Sequence, residues 1–148
     1  FNEVILFGIG TNIAAGLGAF IFSFFEDKIG SKNIIIGSLL ILILCGLGIL
    51  IINDKNIFIL LGITLSTFFG PIQSASRVYF AKNVPEEKKV EFFGFYSLSG
   101  KITSFLGPFL FSILTLMYSS QRAGMSIVVV FLFLGLFLMF FVKTDNIK

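Results

Sequence analysis

Residues 70–101 read GPIQSASRVYFAKNVPEEKKVEFFGFYSLSGK, a polar and charged passage set between long apolar runs. Its middle is a reversal. Asn83 stands near a cap, Pro85 falls in a first turn, and Glu86 and Glu87 follow at the positive end of a helix dipole. On either side a cation enters a segment that otherwise reads as a membrane span: Arg77 before the reversal, Lys101 after it. A cation at the bilayer centre costs about 2.5–3.5 kcal/mol on insertion scales, so it is held there by a partner or a watery cavity. The two cations therefore point to a solute path, lined or gated by Arg77 and Lys101, through a helical membrane protein.

Each side of the reversal carries a polar stripe. Upstream, Ser66, Gly70, Gln73 and Arg77 are spaced 4, 3, 4 and share one helix face. Gly70-Pro71 predicts a local break in the helix, with freed carbonyls able to line a site. Arg77 lies about 5 Å of helix rise from Phe80, so snorkelling to the headgroups or a structural ion pair stands beside direct solute contact. Downstream, Gly94, Ser97, Lys101, Ser104 and Pro108 are spaced 3, 4, 3, 4. Lys101 is roughly 13 Å of rise from Phe92, close to the midplane and beyond comfortable reach of the surface. It is the foremost candidate for a functional charge, with a buried pair joining two helices as its structural alternative. Gly107-Pro108 predicts a second break, a hinge or a packing kink. Glu91 either favours the helix dipole or pairs with Arg77 across the connection, forming a gate.

Composition sets the same class. Of 148 residues, 56% are hydrophobic and 13% charged, too few charges to cover so much apolar surface in water. The net charge of +3 resides in short connections, a membrane-topology pattern rather than the basic face a nucleic-acid binder needs. With no His and a single Cys, Cys45, a disulfide framework, a zinc site and His-based catalysis are excluded within the chain. No metal or cofactor is expected, and Cys45 reads as a packing residue.

Apolar runs of about 20 residues match a bilayer core roughly 30 Å thick. Five such spans are predicted, at about 4–25, 33–52, 57–80, 92–118 and 124–142: an all-α membrane protein of five transmembrane helices. Short connections make successive helices antiparallel, and the cluster from Asn53 to Asn56 is turn-prone. Lys28, Lys32, Lys82, Lys88, Lys89, Lys143 and Lys148 fall on one side, against Lys55 and Arg122 on the other. The positive excess predicts the first side to be cytoplasmic, with the C-terminus inside and the N-terminal end starting outside. Position 1 is Phe, and no cationic stretch precedes the first apolar run. No signal peptide is expected, and the chain reads as the tail of something longer.

The remaining spans differ in polarity. In the first, Gly10, Ala14 and Gly18 repeat every four residues, as do Gly8, Asn12 and Gly16, a small-xxx-small pattern for close helix packing. Thr11 and Asn12 lie near mid-span, where an amide needs a helix partner or a water, and Asn12 is a further site candidate. The second and fifth spans carry almost no polar residues and are expected at the periphery, facing lipid.

The connection after the first span, from Glu26 to Lys32, resembles the cytoplasmic-loop signature of the major facilitator superfamily, Gly-x-x-x-Asp-Arg-x-Gly-x-Arg. Asp27, Lys28, Gly30 and Lys32 match by type, and Ser23 replaces the leading Gly. Gly30 would permit the tight turn and Asp27 would cap or pair with a helix end. The likeness sharpens at Gly70, Pro71, Gln73 and Arg77, through Pro85, Glu86, Glu91, Gly94 and Tyr96, then Gly100, Lys101, Gly107, Pro108 and Arg122. Together these resemble the C-terminal half of the vacuolar amino-acid effluxer family known from autophagy, with its bacterial relatives. The resemblance implies helices eight to twelve of a twelve-helix major facilitator fold, in a bacterial inner (plasma) membrane. It also implies a tenth helix, with Gln73 and Arg77, lining a central cavity. The eighth and eleventh would lie at the bundle interface, and the ninth and twelfth would face lipid. The partners implied are the lipid bilayer, a small-molecule solute and an N-terminal helical bundle of the same protein.

The leading functional expectation is a secondary transporter (permease) moving small polar solutes, amino acids among them, by alternating access. Arg77 and Lys101 would attract a carboxylate, while Gln73, Ser97 and Asn12 would orient the solute. No deep acid or His occurs here, so a proton-coupling acid, if used, belongs to the other bundle. The alternative is a non-transporting membrane scaffold whose charges serve helix packing only. An enzyme is not expected, for want of a nucleophile–base pair.

Overall fold

The computed structural model describes residues 2–142. Five helices follow in order: α1 (Asn2–Ile29), α2 (Ser31–Ile51), α3 (Lys55–Asn83), α4 (Lys89–Tyr118) and α5 (Gln121–Phe141). Each is long and apolar enough to cross a membrane. A single 3₁₀ turn, Glu86–Lys88, separates α3 from α4. Asn83 closes α3 and donates its side-chain amide to the Tyr79 carbonyl rather than capping the next helix.

The reversals follow from local chemistry. Gly30 alone joins α1 to α2, at φ +87°, where an L side chain is strained. Asp54 caps α3, its carboxylate accepting from the amides of Asn56 (2.8 Å) and Ile57 (3.2 Å). Ser119, at φ 48°, ends α4 in the left-handed region and donates its amide to the Thr115 carbonyl.

The packing departs from the peripheral place expected for the second span. α3 packs along α1 and α2, α5 packs on α2 and α4, and α2 lies amid three of the other helices. It supplies most of the core, through Ile34, Ile35, Leu39, Leu42, Ile43 and Ile49. Leu40, Leu44 and Ile51 form its outward face. A helix that is apolar almost all round suits a protein core and lipid equally, because lipid tails are as apolar as Leu. α5 does expose a broad apolar face, including Phe137, Leu138, Phe140 and Phe141.

Two cations fasten α2 to α5 at opposite ends. Lys32, in the first turn of α2, donates to the Val142 carbonyl just past α5 (2.6 Å). Arg122, in the first turn of α5, donates to the carbonyls of Ile52 (2.9 Å) and Leu50 (3.4 Å) at the end of α2. Each cation sits badly for its own helix dipole but well for the negative end of its antiparallel neighbour. At the Arg122 end, Lys55 also pairs with Glu3 at 2.7 Å. Lys28, Lys32, Lys82, Lys88 and Lys89 thus share one end, while Lys143 and Lys148 lie outside the described residues. Arg122→Ala is expected to lower stability by about 1.5–3 kcal/mol, the range for hydrogen bonds to a charged group. Thermal unfolding in detergent measures this, and Arg122→Lys should recover part of the loss.

The helix breaks expected at Gly70-Pro71 and Gly107-Pro108 do not occur. α3 runs unbroken through Pro71, and α4 through Pro108. Pro71 is buried and lacks an N–H, so the Thr67 carbonyl loses its donor one turn back. That carbonyl faces Gly18 of α1, where an added Cβ would lie 1.9 Å from it, an approach suited to a Cα–H···O contact. Reciprocally, a Cβ on Gly70 would meet the Ala15 carbonyl at 2.1 Å. Only Gly18 of the small-residue stripe makes such an approach: Gly8, Gly10 and Gly16 have nothing described within 4 Å of an added Cβ.

Candidate functional site: a cationic cleft between α3 and α4

α3 and α4 are joined near the 3₁₀ turn by three rings. Phe80 packs on Phe93 (centroids 5.2 Å, edge to face) and on Tyr96 (5.0 Å). Aromatic pairs of this kind add about 0.5–1.5 kcal/mol beyond the area they bury. Beyond the rings the helices leave a cleft of about 950 Å³. α3 contributes Phe69, Gln73 and Arg77 to its wall; α4 contributes Phe93, Tyr96, Ser97, Ser99, Gly100, Lys101, Thr103 and Ser104. The helical period does this. Residues 69, 73 and 77 recur every four on α3, and residues 93, 97, 100, 101 and 104 recur every three or four on α4. Gln73, Arg77, Ser97 and Lys101 therefore open on one space.

The cleft is charged on one sign only. Arg77 and Lys101 are exposed and form no ion pair or hydrogen bond among the described residues. Neither the structural ion pair considered for Arg77 nor the buried pair considered for Lys101 is present within the described chain. Among the described residues, no acid lines the cleft. The gate pairing expected between Arg77 and Glu91 is not formed either. Glu91 is exposed in the first turn of α4, where its charge complements the helix dipole.

The hydroxyls divide by hydrogen bonding. Ser99 donates to the Tyr96 carbonyl (2.8 Å), Thr103 to the Ser99 carbonyl (2.9 Å) and Ser104 to the Gly100 carbonyl (2.7 Å). These three turn oxygen lone pairs outward. Ser97 makes no hydrogen bond among the described residues and keeps its proton to give.

Asn12 lies elsewhere. With Thr11 and Ser66 it lines a separate groove of about 330 Å³, and its amide donates to the Gly8 carbonyl of its own helix (2.8 Å). Phe69 walls both spaces.

In the α1–α2 connection, Asp27 and Lys28 are exposed and bond to nothing described, so Asp27 is not the helix-pairing acid. The neighbouring Glu26 takes the buried place, accepting from the Ser31 hydroxyl at 2.7 Å, beside a small hollow lined by Pro71, Ser74 and Ala75. The signal for it was spacing. Ala15, Gly18, Ala19, Phe22 and Glu26 recur every three to four residues, on the face of α1 that meets α3.

Comparison with known proteins places this architecture. A family model described as "Vacuole effluxer Atg22 like" matches residues 2–148. The chain is 31% identical over 138 residues to "Uncharacterized MFS-type transporter YxiO" of Bacillus subtilis (strain 168). The aligned part covers 92% of this chain and 32% of that relative, so the chain spans about a third of the length of the protein it matches. No solved structure matches. Five apolar helices with a cleft between two of them, matched end to end by the family description, lead to one conclusion: the chain belongs to the Atg22-like vacuole effluxer family of MFS-type transporters.

Proposed function

We propose that the chain forms helices eight to twelve of a twelve-helix secondary transporter that moves small polar solutes, amino acids among them, by alternating access. The observation that carries this reading is the convergence of Arg77, Gln73, Ser97 and Lys101 on one cleft, with no acid in its wall among the described residues. Cations left without a partner at this depth are costly unless water and solute meet them. In this reading the lysine-rich ends of the helices face the cytoplasm, and the lipid bilayer surrounds the outward apolar faces of α2 and α5. An N-terminal bundle would close the cleft from the opposite side and rock against this one. Lys101 and Arg77 receive the solute carboxylate, and Gln73 and Ser97 donate hydrogen bonds that orient it.

Thiol labelling of the full-length protein tests alternating access. Cys45 is buried and is first replaced by Ala. A membrane-impermeant reagent should then label Ser97→Cys from either side of the membrane, and solute should slow the reaction from both. Labelling from one side only, insensitive to solute, would leave a static scaffold as the better account.

A further inference from the structure

We infer that the solute recognised at the α3–α4 cleft carries two carboxylates, one for each cation, as an acidic amino acid does. This rests on the carrier reading given above and narrows its substrate class.

Charge balance is the first argument. Arg77 and Lys101 bring two positive charges into one cleft of about 950 Å³, whose wall holds no carboxylate among the described residues. A neutral zwitterion offers one carboxylate and a further ammonium, leaving the wall and solute together with an uncompensated double positive charge. Once an N-terminal bundle closes the cleft over the solute and excludes bulk water, like charges within it repel more strongly than in open water. An acidic amino acid, with two carboxylates and one ammonium, sets one anion against each cation and halves that excess.

Hydrogen-bonding capacity is the second argument. Gln73 and Ser97 add neutral donors beside the cations, which suits carboxylate oxygens, acceptors only. The oxygens of Ser99, Thr103 and Ser104 have given their protons to α4 carbonyls and present lone pairs. A single ammonium fits there. Two carboxylates and one ammonium match the groups that α3 and α4 present; replacing the second carboxylate by an amide leaves one of these cations without an anion.

The test compares glutamate with glutamine, which match in size and shape and differ in charge, using the full-length protein in proteoliposomes. Glutamate counterflow is expected to exceed glutamine counterflow at least tenfold. Lys101→Gln should collapse or invert that ratio, and Lys101→Arg should restore it. Protection of the purified protein against heat, by glutamate but not glutamine, reads binding for any variant that transports poorly. Glutamine moved as well as glutamate, or better, overturns the two-carboxylate inference while the carrier reading stands. Neither amino acid moved or bound overturns the two-carboxylate inference, and the thiol-labelling result then decides the carrier reading separately. Succinate, with two carboxylates and no ammonium, is expected to compete more weakly than glutamate.

Discussion

Gly18→Leu is expected to cost about 3 kcal/mol or more and to leave little folded protein in the membrane. The Cβ alone would fall 1.9 Å from the Thr67 carbonyl oxygen and 2.8 Å from its carbon. Both are backbone atoms, so no neighbouring rotamer can relieve the clash. Overpacking in a core that can adjust costs about 1–3 kcal/mol, and here the adjustment would have to separate α1 from α3 along their whole contact. Pro71 deepens the effect, because the Thr67 carbonyl has no amide donor at the position one turn on. Gly16→Ala is the contrasting variant. Nothing among the described residues lies within 4 Å of that Cβ, and Ala favours a helix by about 1 kcal/mol over Gly, so stability should hold or rise slightly. Thermal unfolding of the detergent-purified variants, with fluorescence-detected size exclusion for folded yield, separates the two.

The second large effect is functional. Lys101→Ala in the full-length protein is expected to reduce transport by at least about 30-fold with folding intact. In the closed, solute-bound state of the carrier reading Lys101 faces a carboxylate, and removing one partner of a buried charge pair typically costs about 2–5 kcal/mol, each 1.4 kcal/mol being a tenfold change. Folding should be spared because Lys101 makes no bond within the described chain, and substitutions at such positions usually stay within about 0.5 kcal/mol. The readouts are initial uptake rate and melting temperature on the same preparation. A lowered melting temperature with unchanged uptake per folded molecule would instead mark Lys101 as an assembly charge, and the cleft as a packing gap.

The sequence was most legible where water or backbone geometry forces a choice. Run length located all five apolar helices, since a bilayer sets the length of a span. Gly30 stood out because a tight turn favours a residue free to take positive φ, and the polar cluster from Asn53 to Asn56 marked the turn between α2 and α3. The two polar stripes were readable as faces because Gln73 and Arg77, or Ser97 and Lys101, differ sharply from their apolar neighbours.

Legibility failed where competing residues are chemically alike. Gly16 and Gly18 are the same residue two positions apart, and only the placement of α3 decides which one is crowded. Glu26 and Asp27 are adjacent acids, separated only by which falls on the face toward α3. The burial of α2 was invisible because in lipid an inward Leu and an outward Leu have equivalent surroundings. Pro71 and Pro108 read as breaks because proline removes an amide donor and crowds the preceding turn. Packing against α1 holds α3 straight enough to continue through Pro71.

The double fastening of α2 to α5 bears on how the chain is made. Its two contacts close loops of 110 and 70 residues, and each needs a residue at or beyond the start of the final helix. While the ribosome is still adding α3 and α4, the carbonyls of Leu50 and Ile52 have only headgroup water to accept from. The earlier helices can enter the bilayer in that state, but they acquire their final positions late, when Arg122 emerges and locks the first half of the chain to the last.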